Sequence, residues 1–274
     1  MARHLRGDDA QGGMTLVIED PLLDIALRAA LAGGEAVMRV YADPFEVTHK
    51  DDKTPVTEAD LASERIIVEM LTAAFPEIPV VSEETVPEAG FECPQAAQFW
   101  HVDPLDGTRE FVARNDEFAV LIGLVENGRP VLGVVHGPAL GLTYIAHGPG
   151  TAMRRKSDGQ FEPIRARAPA SEGVVVVHSR SHENSRHLAE YFQGKPVLER
   201  LKCGSALKFG VVAAGEADFY PRFGTTMEWD TAAGQAVLEA AGGHVFGPDG
   251  KPLAYGKPGL KNDGFLAWGA KPAW

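Results

Sequence analysis

The sequence predicts a layered protein mixing helices and strands, α+β in its first half and α/β in its second. Three observations carry that expectation. Apolar residues recur at helical spacing from Leu22 to Val40. Two strand-like runs, Phe118 to Glu126 and Val131 to His136, are joined by Asn127-Gly128-Arg129-Pro130, whose Asn-Gly is a strong hairpin signal. The β-branched run Val174 to Val177 reads as a strand buried on both faces, followed by a helix to about Phe192. At 274 residues the chain can bury a large core, as one layered domain or as two closely joined halves.

Composition narrows the class. With 45% hydrophobic and 23% charged residues the chain reads as ordinary globular protein. No apolar run reaches the roughly 18 residues a membrane span needs, and no apolar signal core follows the basic N-terminal residues. A cytoplasmic protein without stable membrane insertion is expected. The formal charge of −12 argues against a nucleic-acid partner, because neutralising a phosphate backbone takes clustered Lys and Arg in excess. A small anionic substrate would need local help from metal ions. Cys93 and Cys203 form no C-x-x-C, so neither a disulfide framework nor a zinc site is indicated.

Residues 1–13, polar and rich in Gly and charge, read as a disordered extension, with Met14 an alternative start. Asp20 is a plausible N-cap with Pro21 at the first helical position, opening a core-facing helix interrupted or bent near Gly33-Gly34. Thr57 and Asp60 have capping-box spacing before an amphipathic helix through about Ala74. A helix start explains both residues; a carboxylate fixed at a helix N-terminus also suits a base that orients water. Pro79 to Val81 reads as a short buried strand ending in Ser82-Glu83-Glu84.

Residues Trp100 to Phe111 read W-H-V-D-P-L-D-G-T-R-E-F. Trp100 to Val102 can end a buried strand, Pro104 stops the ladder, and Gly107-Thr108 turn the chain into a helix. Asp103 and Asp106 would flank a cation while the Gly107 and Thr108 amides hold an anion; a polar turn accounts for the same residues. Phosphatases with an aspartyl nucleophile carry Asp-x-Asp-Gly-Thr near the N-terminus, whereas two residues separate the aspartates here, which argues against Asp103 as a covalent nucleophile.

Leu142 to Ala146 adds a third strand to the meander, and the basic, polar stretch Met153 to Ala170 is a candidate crossover. His178 more readily ends a strand than pairs with His182 on a metal. Gly204 to Phe209 opens a helix, Asp218 to Phe223 reads as a strand, and Glu228-Trp229-Asp230 precedes an Ala-rich helix through about Ala241, with Asp230 as possible N-cap. Gly242-Gly243 ends it, and His244 to Phe246 and Phe265 to Trp268 read as closing strands.

Glu83, Asp103, Asp106 and Asp230 thus lie at strand ends or helix starts, with Asp60 at another helix N-terminus. Such edges are where layered α/β folds gather their sites. Five carboxylates brought together would repel strongly and demand a divalent cation, and an all-oxygen set suits Mg²⁺.

The combination T-E-A-D (57–60), S-E-E (82–84), D-P-L-D-G-T (103–108) and E-W-D-T-A-A-G (228–234) resembles the inositol-monophosphatase-like superfamily of Mg²⁺-dependent, lithium-sensitive phosphatases. G-T-R-E-F (107–111), R-N-D-E-F-A-V (114–120), S-R-S-H (179–182), G-S-A-L-K-F (204–209) and Y-P-R-F-G (220–224) are similar to its bacterial 3′(2′),5′-bisphosphate nucleotidase branch; plain inositol monophosphatases typically have G-T-x-N-F at the first.

The resemblance implies a layered α-β-α-β-α sugar-phosphatase fold. Residues 14–155 would form an α+β half with most metal ligands, and 156–274 an α/β half with nucleotide contacts and one ligand. It implies Glu83, Asp103, Asp106, Asp230 and the Leu105 carbonyl as ligands of two or three Mg²⁺ ions, with Asp60 touching a further ion or its water. Thr108, hydrogen-bonded toward Asp60, would orient the attacking water. Gly107 and Thr108 amides would hold the scissile phosphate; His182, Ser205, Lys208, Arg222 and Asp230 would contact the nucleotide. The implied reaction is loss of the 3′-phosphate of adenosine 3′,5′-bisphosphate, with its sulfated precursor as a further candidate substrate, in sulfate assimilation. Alternatives are an inositol or other sugar-phosphate phosphatase, or a nucleotide-binding regulator without chemistry. Oligomeric state is left open.

Overall fold

A computed structural model describes residues 18–44, 47–49, 55–86, 91, 93–94, 96–180, 187, 190–192 and 196–270. The expected extension at 1–13 and His182 lie outside them. The first layer is a helix pair, α1 (Pro21–Ala42) and α2 (Glu58–Ala74). Asp20 caps α1, its Oδ1 accepting from the Leu22 and Leu23 amides at 3.0 and 3.2 Å. At α2 the full capping box is present: Thr57 Oγ1 accepts from the Ala59 amide, and Asp60 Oδ2 accepts from the Thr57 amide at 2.8 Å. The expected break at Gly33-Gly34 is absent, since α1 runs through both. These glycines serve close packing: a methyl on Gly33 would stand 2.7 Å from Ile67 Cδ1 of α2, and one on Gly34 2.6 Å from the His136 ring.

The helix pair covers a seven-stranded sheet in the order β3 (Val80–Ser82), β4 (Gln98–Asp106), β5 (Ala119–Glu126), β6 (Arg129–Gly137), β7 (Leu142–His147), β8 (Met153–Arg155) and β9 (Phe161–Pro163). From β4 onward it is an antiparallel meander. Asn127 and Gly128, at φ +50° and +75°, make the tight β5–β6 turn that Asn-Gly favours. Pro104 does not stop the ladder. It sits where the β4–β5 register shifts between Asp103 and Asp106, a bulge in which a residue without an N–H costs no ladder bond. The candidate crossover 153–170 supplies β8 and β9. Arg154 pairs across them with Glu162 and onward with Glu216.

Helices α4 (Leu207–Ala213) and α5 (Ala232–Ala240) form the middle layer, after the short α3 (Thr108–Val112) in the β4–β5 connection. Behind them lies a five-stranded sheet ordered β11 (Val197–Cys203), β10 (Val174–Ser179), β12 (Phe219–Arg222), β16 (Phe265–Trp268), β14 (His244–Phe246). The β10 strand pairs in parallel with both neighbours, as its buried β-branched run requires. Tyr191 and Phe192 pack on its outer face against Phe219 and Trp268. Two short antiparallel ribbons, β1 (Val47–His49) with β2 (Pro55–Thr57) and β13 (Thr226–Met227) with β15 (Lys261–Asn262), complete the strands among the described residues, and the layering is α-β-α-β-α.

Candidate functional site

The bulge in β4 decides where its acids point. Between Asp103 and Asp106 the strand carries one residue more than its partner, so both carboxylates reach the same edge of the sheet. Asp230 arrives from the loop ahead of α5. Carboxylate oxygens of Asp103, Asp106 and Asp230 lie within 4.8 Å of one another. They line a cavity of about 270 Å³ together with Glu83, Leu105, Gly107 and Thr108. Asp230 is no helix cap: Thr231 takes the cap position, and Asp230 Oδ2 accepts from the Met227 amide at 2.7 Å.

These groups sit badly without positive charge. Burial and then repulsion from Glu83, Asp106 and Asp230 hold Asp103 well above the ordinary carboxylate range. Burial, then Asp106 and Glu83, push Asp230 up to about 8. Clustered, buried, oxygen-only donors fit a hard divalent cation, which would relieve that repulsion. Asp103 Oδ1 accepts from the Leu105 amide at 3.0 Å and the Ala206 amide donates to Asp106 Oδ2, so both acids are fixed in direction.

Asp60 does not line the cavity. Burial, opposed by its bonds from Thr57, raises it to about 7, with Glu84 and Glu83 adding to the rise. The expected Thr108–Asp60 hydrogen bond is not formed: Thr108 Oγ1 donates to Leu105 O at 3.3 Å, while Asp60 Oδ2 accepts from the Thr57 hydroxyl at 2.9 Å. Asp60 serves its own capping box first.

The same cavity is also lined by cations, Lys208 and Arg222 among them. Arg222 Nε is buried and meets no hydrogen-bond acceptor among the described residues, as does the buried hydroxyl of Thr226. Lys208 is 3% exposed. Its Nζ donates to Cys203 O at 3.3 Å and to Ser205 O, which leaves one ammonium hydrogen unspent. Burial pushes this amine down, partly offset by Cys203, Asp106 and Glu110. Ser205 holds φ at +48°, an uncommon conformation for a residue with a side chain, and it too faces the cavity.

Sequence reasoning treated Arg109 and Glu110 only as markers, yet both line the cavity. Phe265 joins it from β16 with no local signal that could have announced it. The stretch 114–120 braces the site: Glu117 takes two bonds from Arg180 at 2.8 and 2.7 Å and one from the Gly204 amide at 2.9 Å.

Known proteins resemble this chain in sequence and in fold. The 3'(2'),5'-bisphosphate nucleotidase CysQ of Escherichia coli O157:H7 is 45% identical over 239 residues, 85% of this chain and 94% of that protein. The crystal structure of CysQ from Bacteroides thetaiotaomicron matches with a TM-score of 0.77 at 34% identity, covering 90% of this chain and 96% of that one. The inositol monophosphatase from Anabaena (Nostoc) sp. PCC 7120 matches with a TM-score of 0.71 at 29% identity, over 91% and 90% of the two chains. The model of the inositol monophosphatase family fits residues 18–269, and the chain belongs to that family.

Proposed function

We propose that this protein is a Mg²⁺-dependent phosphatase that removes the 3′-phosphate of adenosine 3′,5′-bisphosphate to give AMP. The observation that carries this reading is a single cavity lined both by three mutually repelling aspartates and by two cations, the buried Lys208 and Arg222, whose Nε meets no acceptor among the described residues. The aspartates suit metal ions and a scissile phosphate; Lys208 and Arg222 suit a second phosphate, which a bisphosphate has and inositol 1-phosphate lacks. Similarity to curated 3'(2'),5'-bisphosphate nucleotidases over most of the chain supports the same choice.

Glu83, Asp103, Asp106, Asp230 and the Leu105 carbonyl would hold the metal, two or three ions. When bound, Mg²⁺ supplies Lewis acidity toward phosphoryl oxygens and toward water. The chain supplies the rest. Gly107, whose φ of +89° only glycine adopts at ease, turns β4 into α3; Gly107 and Thr108 line the cavity, and their amides would orient the scissile phosphate. Asp60, with its pKa at about 7, is suited to take a proton near neutral pH. For Thr108 to relay that proton, its hydroxyl must exchange Leu105 O for Asp60. Ser205 and His182 complete the nucleotide contacts in this reading, and a small phosphorylated nucleotide in the cytoplasm is its partner.

Phosphate release from purified protein with Mg²⁺, compared on adenosine 3′,5′-bisphosphate and inositol 1-phosphate, tests the assignment. Preference for the bisphosphate is expected. Preference for the inositol ester would overturn the substrate and leave the family intact; absence of phosphate release from either would leave a binding protein without chemistry.

A further inference from the structure

We propose that His101 and Glu228 are a positioning pair that sets the separation between Asp103 and Asp230. The inference rests on the metal-site reading above. His101 and Asp103 are two residues apart on β4, and Glu228 and Asp230 are two residues apart in the loop ahead of α5. The two segments therefore meet twice: once where two carboxylates repel, and once a step behind, where His101 Nε2 stands 3.0 Å from Glu228 Oε2. Both side chains of that second contact are 0% exposed.

Glu228 is bound on every side. Its Oε2 also accepts from the Gly256 amide at 2.7 Å, and its Oε1 from the Lys257 amide at 3.0 Å and Lys257 Nζ at 2.7 Å. Its backbone is fixed too: the Glu228 amide donates to Leu260 O at 2.8 Å, and Glu228 O accepts from the Thr231 and Ala232 amides at 3.1 and 2.9 Å. Thus the two residues that follow Asp230 hang from Glu228, and Glu228 hangs from the strand that carries Asp103.

The energetics favour a positioning role over a purely structural one. An apolar side chain at 101 would fill the interior without bringing a carboxylate into it, whereas burying this pair costs desolvation. Fixing a register is the best-attested return on such burial. Here the register is that of two metal-ligand segments which would splay apart under their own charge, since Asp103 belongs to a sheet and Asp230 only to a loop. Groups behind a metal ligand commonly set its affinity this way.

Calorimetric titration of the full-length protein with Mg²⁺, alongside melting in EDTA, tests the pair in wild type, His101→Leu and His101→Gln. His101→Leu should bind Mg²⁺ about tenfold more weakly, and His101→Gln, whose amide still donates to Glu228, should recover most of that loss. Wild-type Mg²⁺ affinity in His101→Leu, even with a lowered melting temperature, overturns the inference and makes the pair merely structural. A wild type that takes up no Mg²⁺ overturns the metal reading itself, so the two failures are distinguishable. Should His101→Leu show no cooperative melt, Lys257→Met decides, because that side chain is 33% exposed. Weaker Mg²⁺ binding there supports the pair, and unchanged binding overturns it.

Discussion

Asp103 shows how one side chain can be favourable for chemistry and unfavourable for the fold. It is 1% exposed and stands among carboxylates that raise its pKa, yet its Oδ1 accepts from the Leu105 amide. Asp103→Asn keeps that acceptor and removes one of the repelling charges. In EDTA the variant should melt at or above the wild-type temperature, while at saturating Mg²⁺ its turnover should fall by at least about a hundredfold, as for loss of a preorganised electrostatic contact. Wild-type turnover at saturating Mg²⁺ would rule out the ligand role. The same acids fix a pH dependence. Asp60 and Asp230 are raised from 3.8 to about 7 and about 8, chiefly by burial. A carboxyl raised in the folded state contributes stability fully below its unfolded pKa, and that contribution is lost as pH rises through the folded one. His136 acts oppositely: burial lowers it from 6.5 to about 4, so it costs stability only below pH 6.5. Between pH 6.5 and about 8.5 the carboxylates dominate, and the metal-free protein should melt at a lower temperature at the upper limit. Added Mg²⁺ should raise the melting temperature more there. An equal Mg²⁺ shift across that range would refute the assignment of Asp60 and Asp230 as the titrating groups.

At the level of elements, the site depends on how close α5 comes to the first sheet. A methyl on Gly133 of β6 would stand 2.1 Å from the Ala233 carbonyl oxygen, and one on Gly123 of β5 2.8 Å from the Ala233 amide. Backbone meets backbone at this point, two to three residues after Asp230, and neither side has a flexible tip that can yield. Gly133→Ala should therefore destabilise by about 3 kcal/mol in urea unfolding. It should also weaken Mg²⁺ binding, because a displaced α5 carries Asp230 with it. Wild-type stability would show that the helix can move back freely. Neither glycine announces itself in sequence, since each lies inside an apolar strand run where only tertiary contact gives it meaning. Asn127-Gly128 was legible because a two-residue turn is a local event, and Thr57 to Asp60 because a capping box spans one helical turn. Pro104 misled for the same reason: read locally a proline ends a ladder, and only the register of β5 shows the bulge that accommodates it. Likewise Asp103 and Asp106 were legible as a pair within one stretch, whereas His101 could be linked to Glu228 only through the fold.

At the level of the whole molecule, one core joins both sheets. Phe99, Leu121 and Val135 of the first sheet, Leu207, Phe209 and Val237 of the middle helices, and Val177, Tyr220 and Phe265 of the second sheet belong to a single buried cluster. Polar ties run the same way: the Ala206 amide reaches Asp106, the Gly204 amide reaches Glu117, and Glu228 reaches His101. Sequence length leaves one layered domain and two closely joined halves both open, because meander and α/β patterns look like different architectures and composition cannot reveal that α4 and α5 pack between the two sheets. Chains of this length often unfold through intermediates, so cooperativity here is an open experimental question with a structural answer. If the shared core governs unfolding, scanning calorimetry should show one transition with equal calorimetric and van't Hoff enthalpies, and Mg²⁺ should shift all of it upward. The ligand set argues for the same outcome, since Asp103 and Asp106 come from the first sheet and Asp230 from the loop ahead of α5 in the middle layer; binding should stabilise both parts at once. Two resolved transitions, with only the lower one moved by Mg²⁺, would show that the halves fold separately and that the cation docks them rather than binding a preassembled cluster.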